Sequence, residues 1–121
     1  MTFVLPFAAW TEDAQTPAVE FALLYQAVLG TADNPNRARN LEETRAALKV
    51  IDAFAAISEL VNVGHPNETR LLKQDGGALR LEADGHQLLQ RAVDAWVGVV
   101  PFAMAKLALD LKNKVDTATS E

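Results

Sequence analysis

The chain has no cysteine, only eight aromatic residues, two histidines, and more acid than base. Each shortage excludes something. Without cysteine there are no disulfides, no thiolate nucleophile and no cysteine-based zinc site, a composition that suits a reducing compartment. Eleven basic against sixteen acidic residues give a net charge of -5, so the chain lacks the positive field that draws in polyanions, and a nucleic-acid partner is not expected. Arg37, Arg39 and Arg45 form the one basic concentration, with no aromatic residue interleaved for base stacking. No uninterrupted apolar run approaches the roughly 20 residues of a membrane helix, and no membrane partner is expected. The apolar start Met1–Trp10 carries no Lys or Arg and is broken by Pro6, unlike a secretory signal.

What is present is an ordinary globular balance, 50% hydrophobic and 22% charged over 121 residues, enough for one core. The pattern predicts a mainly α fold: about four helices with one short β-hairpin between the second and third, in a single compact domain with an extended N-terminal arm. The arm covers residues 1–15, the helical domain 16–114 with its hairpin near 69–82, and a flexible tail 115–121.

Thr16 and Pro17 open the first helix, and Gly30 is placed to close it in a left-handed turn. Phe21, Leu24, Tyr25 and Val28 occupy one face, while Val19, Ala22, Leu23, Ala27 and Leu29 cover the others. A helix apolar nearly all round must be buried on more than one side, in a core or at a subunit interface. Residues 31–40 read as a polar loop with an Asn-Pro turn, and Asn40 with Glu43 reads as a capping box. The second helix is expected from Leu41 to about Asn62, stopped by Gly64 and Pro66. Thr69–Gln74 and Ala78–Glu82, flanking Asp75-Gly76-Gly77, read as the hairpin. A third helix from Ala83 buries Leu88, Leu89, Ala92, Val93 and Trp96. After Gly98 and Pro101 a fourth aligns Phe102, Ala105, Ala108, Leu109 and Lys112.

No constellation for catalysis, a cofactor or a metal is found. His65 lies in a Gly-His-Pro turn, and His86 has no ligand at one-face spacing. Asp52 and Asp94 interrupt apolar helix stretches, so a small-molecule-binding or catalytic domain using Asp52, His86 or Asp94 is the alternative reading. A DNA-binding regulator ranks last, because the third helix offers only Arg91. Two apolar features remain. The arm, with Phe3, Val4, Leu5, Phe7 and Trp10, must dock either on its own helices or on a neighbouring subunit or partner. The joint Trp96–Phe102 is either core or an exposed patch larger than a monomer tolerates.

The assembled order of elements resembles small proteins encoded by tailed phages and prophages. The likeness runs from Thr16 to about Lys112 and rests on Pro17–Leu29, Leu41–Ile51, Leu79–Leu89 and Val100–Leu107, with departures in the longer second helix and the Thr69–Gln74 strand. It implies a non-enzymatic accessory or virion-associated protein, in the host cytoplasm or the virion, and carries over no site residues. The expected partners are a host or virion protein and further copies of the chain, met through Phe3, Leu5, Phe7, Trp10, Phe21 and Tyr25.

Overall fold

A computed structural model describes residues 1–32, 40–61 and 69–120, with the side chains of 31 and 32 left aside. The elements are β1 (Thr2–Phe7), α1 (Thr16–Ala32), α2 (Leu41–Ala56), β2 (Ser58–Val61), β3 (Thr69–Leu72), β4 (Gly77–Glu82), α3 (Ala83–Val97), a 3-10 turn (Phe102–Met104), α4 (Ala105–Asp116) and β5 (Thr119–Ser120). The Asn-Pro loop with Arg37 and Arg39, and the turn containing His65, lie outside the described residues.

The expectation of a mainly α fold with one hairpin is corrected. Among the described residues two sheets accompany the four helices: a three-stranded sheet in the order β4-β1-β5, and a separate β2-β3 ribbon. Both strands expected beside Asp75-Gly76-Gly77 exist, and the turn has its positive φ angles of 76° at Gly76 and 159° at Gly77. They do not pair with each other. β4 pairs along its whole length with β1, and β3 pairs with β2. The turn therefore hands the chain from one sheet to the other.

The reason lies in side-chain alternation. In the β1–β4 register Phe3 faces Leu81, Leu5 faces Leu79 and Phe7 faces Gly77, so these residues share one side. Leu5, Phe7, Leu79 and Leu81 are buried there. The missing side chain at Gly77 makes room for Ile57, which would lie 2.8 Å from a β-carbon at that position. The arm is thus neither free nor irregular; it is the central strand of a sheet whose other members come from far along the sequence.

The second helix also ends earlier than its periodicity predicts. It stops at Ala56, where Ile57 N–H donates to the Phe54 carbonyl, and Ser58–Val61 turns into strand. Ser58 Oγ donates to the Phe54 carbonyl at 2.6 Å, capping the exit. No Gly or Pro lies between Ile57 and Val61; pairing with the next strand, β3, overrides local helical spacing. At the other end the N-cap half of the expected box is present: Asn40 Oδ1 accepts from Glu43 N–H at 2.8 Å.

Helix α1 packs against α2, α3, β1 and β3, which accounts for apolar residues on several of its faces. Phe21 stands at the centre, edge-on to Phe7 at 5.6 Å and to Phe54 at 5.2 Å, with Tyr25 5.4 Å from Phe54. In α4 the apolar side is formed by Ala108, Leu111 and Val115; Leu109 faces outward. The expected shared side of Phe102, Ala105, Ala108, Leu109 and Lys112 is split: Ala108 is buried, whereas Phe102, on the turn before α4, and Leu109 are exposed. Val115, expected in a flexible tail, is fully buried, and Thr119–Ser120 adds a short strand to β1 at Phe3 and Val4.

Gly30, expected as a left-handed terminator, sits within α1 with open space around it. Gly30→Ala should raise stability by up to about 1 kcal/mol in urea unfolding, because a helical alanine loses less chain entropy. Gly76→Ala should lower it by about 2 kcal/mol or more, since φ is positive and the new β-carbon would collide with the Phe7 carbonyl oxygen. Equal effects at the two positions would contradict the backbone described here.

Candidate functional site

Of the six side chains singled out for partner contact, Leu5, Phe7, Trp10 and Phe21 are buried in the chain's own core, while Phe3 and Tyr25 are half-buried. Phe3 stacks on the His86 ring at 4.1 Å, and Tyr25 packs on Phe54. Trp10 is an anchor, but an internal one. Its indole N–H donates to the carbonyls of Leu72 and Lys73 at 3.0 and 3.1 Å, and its backbone N–H donates to Gln74 at 3.0 Å. These bonds tie the end of the N-terminal segment to the exit of β3. In this structure Leu5, Phe7 and Trp10 keep 6%, 8% and 8% of their surface exposed, and Phe21 none.

The residues of the alternative reading do not converge. Asp52 is exposed on α2. His86 is buried, with Nε2 2.7 Å from the Val115 carbonyl oxygen and Phe3 over its ring, which is the environment of a core histidine. Asp94 is exposed on α3, 2.9 Å from Lys112 Nζ. Among the described residues no group of three His, Asp or Glu could hold a metal ion, and no helix is long and apolar enough to cross a membrane.

The feature that stands out is the α3–α4 joint. Its inner part belongs to the core: Trp96 and Val97 pack against buried residues. Its outer part does not. Val99 is 80% exposed, Phe102 is 94% exposed, and Pro101 and Ala103 are exposed between and beside them. Leu109, on α4 beyond this turn, is 58% exposed. The backbone beneath is hydrogen-bonded: Val99 and Val100 N–H both donate to the Trp96 carbonyl at 3.0 and 3.1 Å, and Met104 N–H donates to Pro101 at 2.8 Å. The apolar side chains are therefore displayed on a closed turn. Among the described residues Leu41 and Leu48, two turns apart on α2, are also exposed, at 64% and 57%, with the charged Glu42, Arg45, Lys49 and Asp52 around them.

An ion network links the two helices of the joint. Lys112 on α4 reaches Asp94 on α3 and Asp116 on α4, at 2.9 and 2.6 Å, and Gln90 Nε2 on α3 donates to Asp116 at 3.1 Å. The Lys112 hydrogen bond, then that from Gln90, hold the Asp116 carboxyl below the usual carboxylate range against a partial burial that works the other way. Lys112 is raised in turn, chiefly by its bond to Asp116. A second pair, Lys114 with the buried Glu20, ties α4 to α1.

The joint was visible in the sequence as a dense apolar stretch, but its outward orientation was not. The signal that carried it was the phase of α4: Leu111 and Val115, rather than Leu109, line up with Ala108. A scan of protein-family models and searches of curated proteins and of solved structures gave no match to this chain.

In a pH titration followed by NMR, Asp116 should have its midpoint below the ordinary carboxylate value, and Lys112→Met should move it upward. Because the folded-state pKa is depressed, the pair stabilises the fold above the unfolded carboxylate pKa. That contribution disappears as pH falls through the lower folded value. With both side chains partly exposed, Lys112→Met should cost less than about 1 kcal/mol at neutral pH.

Proposed function

We propose that this protein is non-enzymatic and acts by binding other protein surfaces through the α3–α4 joint, with Val99, Phe102 and Leu109 as the contact residues. The observation that carries this reading is the exposure of Phe102 and Val99 on an ordered turn beside the exposed Leu109. An aromatic ring left in water costs free energy that a fold of this size can avoid by turning it inward; on a rigid turn, that ring is suited to fill a pocket on a partner. Contact with a host or virion protein, as the phage-type resemblance implies, is the setting proposed, with a role as an accessory or virion-associated component in the host cytoplasm or the particle. The arm, in this reading, is a structural element and not the binding one.

A photo-crosslinking residue placed at position 102 tests the reading in cells or lysates where the protein operates. The expected result is a discrete crosslinked species of defined mass, lost when Val99→Ser and Leu109→Ser are added, with the thermal midpoint of the protein unchanged within a few degrees. The same crosslinker at Arg80, exposed on β4, should give no such species. Equal yields at the two positions would remove the joint from consideration.

A further inference from the structure

We infer that the partner meeting the outer stripe of α4 is a second copy of this chain, packed antiparallel across a two-fold axis. This rests on the reading of the joint as a contact surface and adds who occupies it. Lys106, Leu109 and Asn113 follow one another on α4 at helical spacings of three and four, Phe102 stands on the 3-10 turn that leads into them, and all four are exposed. Asp110 borders the same stripe and is also exposed. The neighbouring cation Lys112 is already paired to Asp94 and Asp116 and Lys114 to Glu20, whereas among the described residues Lys106 and Asp110 have no ion-pair partner. They are not paired with each other, although they lie four residues apart, the order Lys before Asp being the less favourable one on a helix.

A stripe that holds an apolar pair together with one unused cation and one unused anion is self-complementary. Two copies related by a two-fold axis present the same patch to one another, so every contact is made twice. With the axis near Ala108 and the two helices antiparallel, Leu109 lies next to the partner's Leu109. Phe102 covers the partner's Asn113, and Lys106 comes within reach of the partner's Asp110. The arrangement buries the exposed apolar residues of α4 and satisfies both spare charges in a single step. A basic or an acidic partner surface would satisfy one charge and oppose the other.

The experiment is sedimentation equilibrium on the full chain and on charge-reversal variants at exposed positions. The wild type should dimerise. Lys106→Glu alone and Asp110→Lys alone should each weaken self-association by at least about tenfold, because each puts like charges opposite one another twice. An equimolar mixture of the two single variants should recover dimers, since the mixed pair restores both contacts, and so should the double variant K106E/D110K. Unchanged circular dichroism would show that all variants are folded. A wild type that stays monomeric to about 1 mM, or single variants that are not rescued by mixing, would overturn the inference. If that happened while the crosslinker at 102 still captured a discrete species, the joint would stand as a contact surface for a different protein. If neither signal appeared, both readings would fall.

Discussion

The pairing of β1 with β4 is the constraint on which the rest of the molecule depends. A strand carrying Phe3, Leu5 and Phe7 on one side can bury them only if its own backbone groups are hydrogen-bonded, and β4 supplies partners from Thr2 to Phe7. Once this pair forms, the N-terminal segment lies across the top of the helices. Phe7 then meets Phe21, and Trp10 reaches the exit of β3 to donate to Leu72 and Lys73. The C-terminal Thr119–Ser120 completes the sheet on the other edge of β1. The two ends of the sequence are thus joined through one strand, and the helices α1, α2 and α3 close beneath it.

This constraint redistributes the apolar surplus. A sequence rich in hydrophobic residues at its start invites the idea of a sticky arm. In the folded chain those residues are the inside of the sheet, and the surplus reappears at the far end of α3. There Gly98 and Pro101 force a turn that α4 then leaves with Ala108, Leu111 and Val115 facing inward. Val99 and Phe102, on the turn between the two helices, are left outside. The Lys112–Asp94 pair bridges the two helices beside this display.

What could be read directly was what local chemistry determines. The Asn40–Glu43 cap, the Leu88–Val93 stripe of α3 and the Asp75–Gly77 turn depend on residues within a turn or two of one another, and each occurs where its pattern lies. What could not be read depends on contacts between distant segments. The Asp-Gly-Gly turn does not say which strands will pair, because Thr69–Leu72 finds Ser58–Val61 and Gly77–Glu82 finds Thr2–Phe7. Helical spacing through Ile57 and Val61 persists in the sequence, yet strand pairing wins. In α4, a choice between two adjacent apolar stripes needed the position of α3. The joint shared this fate: its residues were identified, but their exposure is a property of the packed whole.

Hydrogen exchange resolved by NMR offers the most direct test of the central claim that the apolar N-terminal segment is an internal strand. The β1 amides bonded to β4 should exchange only through global unfolding, with protection independent of protein concentration. Rapid exchange of those amides in dilute protein, with protection gained as copies associate, would show that the strand is completed by a neighbour and would contradict the account.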